Sequence, residues 1–180
     1  MKTRLSILLV TLLSLNMAYG AGEYFEAQTG LANNSYGFRL GASQSWDKSL
    51  GYSQVFENSA GIHTISYELY RNFYFHGVEL KVGGGLGYSI PNPQNEWKAD
   101  NDISYIAGIG AERRLFDSPW SLGLSLKGLF FTTDARRTDY GSHTETLSTG
   151  QQVEVLDTYH YYDSINYDKV ILGLFVRYYF

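Results

Sequence analysis

Hydrophobic and polar residues alternate along most of the chain with a period of two. In residues 78–90, the even positions are mostly Val, Leu, Tyr and Ile, while the odd positions hold Glu79, Lys81, glycines and a serine. Successive side chains of a β-strand point to opposite faces, so this period predicts strands with one apolar face. Eight segments share the pattern, at residues 23–31, 36–46, 50–57, 62–75, 78–90, 103–116, 120–132 and 170–180.

The predicted connections between these strands alternate in length. Tight turns at residues 47–49, 76–77 and 117–119 are expected at one end of the sheet. The connections at 33–35, 58–60, 91–102 and 134–166, which include the two longest, are expected at the other end. This asymmetry is typical of outer-membrane barrels. A soluble β-sandwich is the alternative, but its solvated face would be rich in Lys, Glu and Thr. The less apolar face here holds mainly Gly and Ser, so we expect an all-β, eight-stranded antiparallel transmembrane β-barrel over residues 21–180.

The first twenty residues have the pattern of an export signal. Lys2 and Arg4 precede an apolar run at residues 5–15, and Ala18 and Gly20 place small residues at the −3 and −1 positions of a cleavage site. The run is shorter than the ~20 residues that a transmembrane helix needs. We therefore expect residues 1–20 to be a cleaved signal peptide and the rest of the chain to reach the outer membrane.

The charged residues of the predicted strands fall mainly on the face opposite to the apolar one. If the apolar face contacts lipid, nine charged side chains enter the barrel interior: Glu26, Arg39, Glu68, Glu79, Lys81, Glu112, Arg114, Lys127 and Arg177. Eight-stranded barrels have interiors just wide enough for their own side chains. We therefore expect a salt-bridged, non-conducting interior, with an open pore or a proton path as the alternative.

The composition excludes several classes of function. The chain has 180 residues and no cysteine, which excludes disulfides, a thiol nucleophile and a cysteine-ligated zinc site. A net charge of −4 gives no indication of nucleic-acid binding. The acidic residues of the last loop match no known calcium-loop spacing, and a solvated acidic surface is favoured over a Ca²⁺ site. We expect no metal and no cofactor.

The end of the chain resembles the assembly signal of Gram-negative outer-membrane proteins. In that signal the final strand alternates and ends in phenylalanine, and the matching residues here are Leu172, Leu174, Val176, Tyr178 and Phe180. Together with the predicted signal peptide, this makes the chain similar to small eight-stranded barrels of the OmpX and OmpA-transmembrane type. The resemblance implies insertion by the barrel-assembly machinery and contact with outer-membrane lipids and lipopolysaccharide.

A second resemblance, to the lipid A 3-O-deacylases, is local. Residues 36–49 are similar to the early strand and turn of that family, and segments 77–88, 106–116 and 121–131 follow in a similar order. The catalytic His and Ser of the family stand two residues apart, where this chain has Gly128 and Phe130. No catalytic residue therefore carries over, and a non-enzymatic protein is favoured. A lipid A-modifying hydrolase with relocated catalytic groups is the alternative.

The predicted loop at residues 134–166 is the candidate site of function. Loops longer than ~15 residues are usually functional or disordered. Segments 144–147 and 151–155 flank a Ser-Thr-Gly turn, which predicts a projecting hairpin. Candidate contacts for an external protein or cell-surface ligand, and thus for adhesion, are Tyr140, His143, Tyr159, His160, Tyr161 and Tyr162. Alternatively, these tyrosines form an interfacial girdle, or the barrel only stabilises the envelope.

Overall fold

A computed structural model describes residues 22–31, 34–57, 60–93 and 97–180 of the protein, and the predicted signal peptide lies outside these residues. Within them no helix is long and apolar enough to cross a membrane. The nine strands are β1 (Gly22–Gly30), β2 (Ser35–Ser43), β3 (Trp46–Glu57), β4 (Ala60–Phe75), β5 (Val78–Asn92), β6 (Lys98–Ala99), β7 (Asp102–Arg114), β8 (Trp120–Thr146) and β9 (Gln152–Tyr179).

Eight of these strands form one closed antiparallel sheet. Each strand pairs with the next along the chain, except that β5 pairs directly with β7. The pairing of β1 with β9, from Tyr24 opposite Tyr179 to Gly30 opposite Gly173, closes the sheet. The short strand β6 pairs only with β8, at Ala135 and Arg136. The prediction of an all-β antiparallel fold is confirmed.

The two ends of the closed sheet differ in their connections. At one end, here called the turn end, the strands are joined through residues 44–45, 76–77 and 115–119. His76 and Gly77 both adopt positive φ angles in the tightest of these turns. At the opposite end, β8 and β9 continue beyond the other strands as a two-stranded extension, and we call this the ribbon end.

The predicted turn at residues 47–49 is wrong, because β3 already begins at Trp46. Asp47 and Ser49 are buried within the strand. Asp-Lys-Ser is a sequence that favours turns locally. Here the Asp47 carboxylate accepts hydrogen bonds from Lys81 at 2.5 Å and from Arg177 at 2.9 Å across the closed sheet. These tertiary contacts override the local preference.

The predicted long loop at residues 134–166 is also wrong, although the hairpin predicted within it is confirmed. β8 and β9 remain paired through this whole segment, from Asp134 opposite Ser164 to Thr146 opposite Gln152. The last strand therefore begins at Gln152 instead of residue 170. We define the ribbon as residues 136–162, in which Arg136 pairs with Tyr162 at the base.

The closed sheet has a polar interior and an apolar outer surface. Its enclosed face buries charged side chains, namely Glu26, Arg39, Asp47, Glu68, Lys81, Glu112, Lys127 and Arg177. On the outer face, Leu86 is 56% exposed and Leu124 is 50% exposed. In a soluble protein, charged side chains are mostly exposed and large apolar ones are mostly buried. The distribution in this protein is therefore inverted.

Glycines on the enclosed face make room for the long side chains of the interior. A Cβ atom at Gly51 would lie 2.6 Å from Cγ of Arg39, and one at Gly41 would lie 2.6 Å from the Tyr24 hydroxyl oxygen. Either separation is shorter than real Cβ contacts allow. The high glycine content of the strands thus permits an interior that is filled by charged and aromatic groups.

Apolar side chains close the interior towards the ribbon end. Ile62, Leu129 and Phe131 form a buried cluster, and Ile106 and Tyr167 pack against it. The aromatic rings of Phe131 and Tyr167 are stacked, with their centroids 4.7 Å apart. The charged part of the interior therefore lies between this cluster and the turn end.

Candidate functional site

Arg177 is the centre of a charge network inside the closed sheet. Its side chain is 0% exposed and contacts three carboxylates. Nη2 lies 2.6 Å from Glu26, while Nη1 lies 2.9 Å from Asp47 and 3.0 Å from Glu112. The guanidinium carbon also stands 3.6 Å from the centroid of the Tyr24 ring. The ion pairs and the cation–π contact together offset the free-energy cost of removing the Arg177 charge from water.

Lys81, on β5, shares two of these carboxylates with Arg177. Its Nζ atom lies 2.5 Å from Asp47, 2.8 Å from Glu112 and 3.1 Å from Glu79. The Tyr179 hydroxyl donates to Glu112 at 2.7 Å, and the Ser121 hydroxyl donates to the same carboxylate. The strands β3, β5, β7, β8 and β9 are thus connected through polar side chains in the interior.

Arg39 and Lys127 extend the network towards the ribbon end. Arg39 donates to Glu26 from Nε at 2.8 Å and to Glu68 from Nη1 at 3.2 Å. Lys127 donates to Glu68 at 2.9 Å, and the Tyr70 hydroxyl donates to the same carboxylate at 2.9 Å. Every charged side chain of this interior therefore has at least one partner of opposite charge.

The structure brings eight of the nine predicted interior charges into this network. They are Glu26, Arg39, Glu68, Glu79, Lys81, Glu112, Lys127 and Arg177. Arg114 lies outside it, exposed at the turn end, with its guanidinium carbon 4.3 Å from the centroid of the Tyr179 ring.

Sequence reasoning missed one member of the network, Asp47. A signal was present, because Asp47, Ser49, Gly51 and Ser53 are small or polar residues at alternate positions, as on the other enclosed faces. With Asp47 included, the network holds five carboxylates and four cations.

A small cavity lies beside the network. A cavity of about 30 Å³ is lined by Gln28, Glu68, Lys127, Ser125 and neighbouring residues. This space can hold about two water molecules. The arrangement is suited to holding the strands together. Within the described residues, no group of three or more His, Asp or Glu side chains is placed to hold a metal ion.

The ribbon divides the six predicted contact residues between its two faces. Residues that are directly opposite in a β-ladder share a face. The pairs Arg136–Tyr162, Thr138–His160 and Tyr140–Thr158 therefore place Tyr140, His160 and Tyr162 on one face. The pairs Arg137–Tyr161, Asp139–Tyr159 and His143–Val155 place His143, Tyr159 and Tyr161 on the other face.

The face of Tyr140 and Tyr162 carries the most exposed apolar groups of the ribbon. Both tyrosines are 79% exposed. Leu156, which sequence reasoning did not single out, is 81% exposed and lies diagonally opposite Tyr140 on the same face. Leu156 lies between Val155 and Asp157 in the sequence, and only the strand register shows that it extends the tyrosine surface.

His143 is held by two carboxylates on the opposite face. Nδ1 lies 2.6 Å from Asp157 and Nε2 lies 3.3 Å from Glu145. The hydrogen bond to Asp157, followed by that to Glu145, raises the pKa of the His143 imidazole above its ordinary value. In the described part of the chain, no histidine has a hydrogen bond to a serine, so the geometry contains no Ser–His pair for hydrolysis.

No protein-family model matches this sequence, and a search of curated proteins finds no match. The function is therefore argued from the closed sheet and the ribbon alone. Of the residues that resemble an assembly signal, Leu172, Leu174, Val176 and Tyr178 lie at alternate positions on the outer face of β9, and Phe180 follows the end of that strand.

Both edges of the ribbon lack a neighbouring strand within the described ranges. On the β1 side, β9 is not paired with another described strand from residue 152 to residue 166. On the opposite edge, the residues of β8 from Thr138 to Thr146 pair with β9 and with no other described strand. Unpaired backbone N–H and C=O groups on an edge strand can pair with a strand of another chain.

Proposed function

We propose that the protein is an eight-stranded outer-membrane β-barrel whose ribbon binds an external protein. The observation that carries the proposal is the inverted polarity of the closed sheet. A sheet with an apolar outer face and a charged, enclosed face is suited to lipid around it, because hydrocarbon offers no partner for polar groups.

Aromatic residues are concentrated near both ends of the outer face, as expected for girdles at two lipid–water interfaces. Those near the turn end are Trp46, Phe73, Phe75, Trp120 and Tyr178, and those near the ribbon end are Tyr36, Phe56, Tyr88, Tyr105 and Phe130. Phe130 lies ten positions after Trp120 on β8. At the usual strand rise and tilt these positions span about 25 Å, the height of a barrel's apolar band.

The resemblance to Gram-negative outer-membrane proteins supports the same location. Residues 1–20 fit a cleaved signal peptide, and the alternating end of β9 with Phe180 fits the signal that the barrel-assembly machinery recognises. The paired charges and the small cavity support a non-conducting interior. In this proposal the protein needs no cofactor, and outer-membrane lipids and lipopolysaccharide surround the barrel.

The ribbon is the part of the barrel suited to contact an external partner. Between residues 138 and 162 it has four carboxylates and no Lys or Arg. A partner with a basic surface is favoured, because complementary charge accelerates and orients association. Tyr140, Leu156 and Tyr162 offer an amphipathic, exposed contact surface. The free edge of β9 offers main-chain pairing to an extended segment of the same partner.

Removing the ribbon should abolish the interaction and leave the barrel intact. We expect cells that produce a variant with residues 139–159 replaced by Asn-Gly to lose adhesion to immobilised matrix proteins and survival in serum. The deletion keeps the pair Thr138–His160, and the short turn suits an antiparallel connection.

A matched variant replaces only Tyr140 and Leu156 by serine. It keeps the ribbon and its strand edges, so it separates the contribution of the exposed side chains from that of the backbone edges. We expect this variant to lose part of the adhesion. Adhesion and serum survival that are unchanged by the deletion would contradict the proposed function. If the deletion causes only detergent sensitivity, a structural role in the envelope would replace the proposed binding function.

A further inference from the structure

Three cations stand on the outer face of the closed sheet near its turn end. Lys48 alternates with the buried Asp47 and Ser49, and Arg71 alternates with the buried Tyr70 and Asn72. Arg113 follows the buried Glu112 on β7. All three side chains are exposed. The outer face of the turn end therefore carries positive charge beside apolar side chains.

Lys48 and Arg71 form a pair around Trp46. Trp46 lies directly opposite Arg71 in the β3–β4 ladder, and the guanidinium carbon is 5.3 Å from the indole centroid. Lys48 pairs with Leu69, so Lys48 and Arg71 are diagonal neighbours on one face. Diagonal neighbours are typically about 7–8 Å apart, which long side chains can bridge through one small anion.

These outer cations have no protein counter-charge. Within the described ranges, Lys48, Arg71 and Arg113 make no ion pair, whereas each cation of the interior network makes at least one. A charge at the edge of hydrocarbon is unfavourable unless it finds a partner. Because the protein supplies none, the counter-charge must come from the surroundings of the outer face.

We infer that Lys48 and Arg71 bind the phosphate group of an anionic phospholipid. The inference rests on the proposed membrane location, in which the turn end faces the periplasmic leaflet, opposite to the ribbon. Arginine can donate two hydrogen bonds to one phosphate, and lysine adds a point charge beside it. Two adjacent cations favour a headgroup with net negative charge over a zwitterionic one, whose ammonium group they repel.

Trp46 completes the lipid site. Its indole supports the Arg71 guanidinium, and tryptophan favours the level of the headgroups at a membrane interface. Arg113 provides a natural comparison, because it is exposed on the same outer face but separated from Arg71 by β5. Neighbouring strands lie about 4.8 Å apart, so Arg113 stands too far away to join the pair at one phosphate.

The test measures lipids that remain bound to the folded protein. The purified chain is held in detergent with equal amounts of phosphatidylglycerol and phosphatidylcholine, and native mass spectrometry counts both. We expect the parent to retain phosphatidylglycerol preferentially. The K48Q/R71Q variant should bind phosphatidylglycerol roughly thirtyfold more weakly, as removal of two basic groups near a lipid surface predicts. R113Q should change it less than twofold, and K48R/R71K should retain it.

Equal retention of phosphatidylglycerol by K48Q/R71Q and by the parent would overturn the lipid site. Equal retention of both lipids by the parent would overturn it as well. Folding is followed separately, by the shift in gel migration between unheated and boiled samples. A parent without this shift would contradict the barrel and the lipid site together, whereas an intact shift with equal retention would contradict the lipid site alone.

Discussion

Replacing Arg177 by methionine is expected to destabilise the folded protein by about 3–5 kcal/mol, the range for breaking one side of a buried charge pair. The substitution removes the cation that Glu26, Asp47 and Glu112 share in the interior. Methionine keeps much of the side-chain volume, so the loss reports mainly on the charge. Urea unfolding in detergent micelles, followed by tryptophan fluorescence, measures the change.

Arg113→Met is the matched control for this experiment. Arg113 is exposed on the outer face and makes no ion pair with a described residue. We expect its replacement to change the free energy of unfolding by about 0.5 kcal/mol or less, as for most surface substitutions. Equal effects of the two variants would show that the interior network does not hold the strands together.

The second large effect is expected at Gly84, in the middle of β5. A Cβ atom there would lie 2.1 Å from the backbone oxygen of Ile106 and 3.2 Å from Cα of Ala107 on β7. Because both contacts are to backbone, the strands themselves must separate to admit a side chain. We expect Gly84→Val to destabilise the protein by about 3 kcal/mol, at the upper end for overpacking, in the same unfolding assay.

Leu86→Val is the control at the next outward position of the same strand. Leu86 is exposed on the outer face, so loss of a methylene group there leaves the backbone of β7 in place. We expect a change of less than about 1 kcal/mol. A Gly84→Val variant as stable as Leu86→Val would contradict the close approach of β5 and β7.

The strands could be predicted wherever the two faces of the sheet differ in polarity. Segments such as β5 and the first half of β8 have an apolar outer face and a glycine- or charge-bearing enclosed face, so their period of two is clear in the sequence. The ribbon has two exposed faces, and polar residues occur on both. Its period is therefore weak, and the sequence predicted a loop with a short hairpin in place of two long strands.

The error at Asp47 has a different physical origin. Local sequence there favours a turn, and the contacts that hold Asp47 in β3 come from residues 34 and 130 positions away, Lys81 and Arg177. No local pattern contains that information. At Arg114 the alternating pattern predicted an interior side chain. The strand β7 ends at this residue, however, and the side chain is exposed at the turn end.

The same network accounts for the many charges inside the closed sheet. Each interior cation has a carboxylate on a different strand, so these ion pairs connect strands across the interior of the sheet. Buried polar networks favour one arrangement when all of their members are satisfied. In the proposed membrane location, lipid would contribute little hydrophobic driving force between strands, and the paired charges would supply specificity in its place.

Spin labels on the outer face of β8 test most directly whether that face contacts hydrocarbon. The chain contains no cysteine, so single cysteines at Leu122, Leu124, Leu126 and, in the ribbon, Thr144 can each carry one label. In lipid vesicles, the proposed barrel predicts high oxygen accessibility and low accessibility to a water-soluble nickel complex at the three leucine positions, and the reverse at residue 144. If the nickel complex reaches residue 124 as readily as residue 144, the outer face is in water and the proposed barrel is wrong.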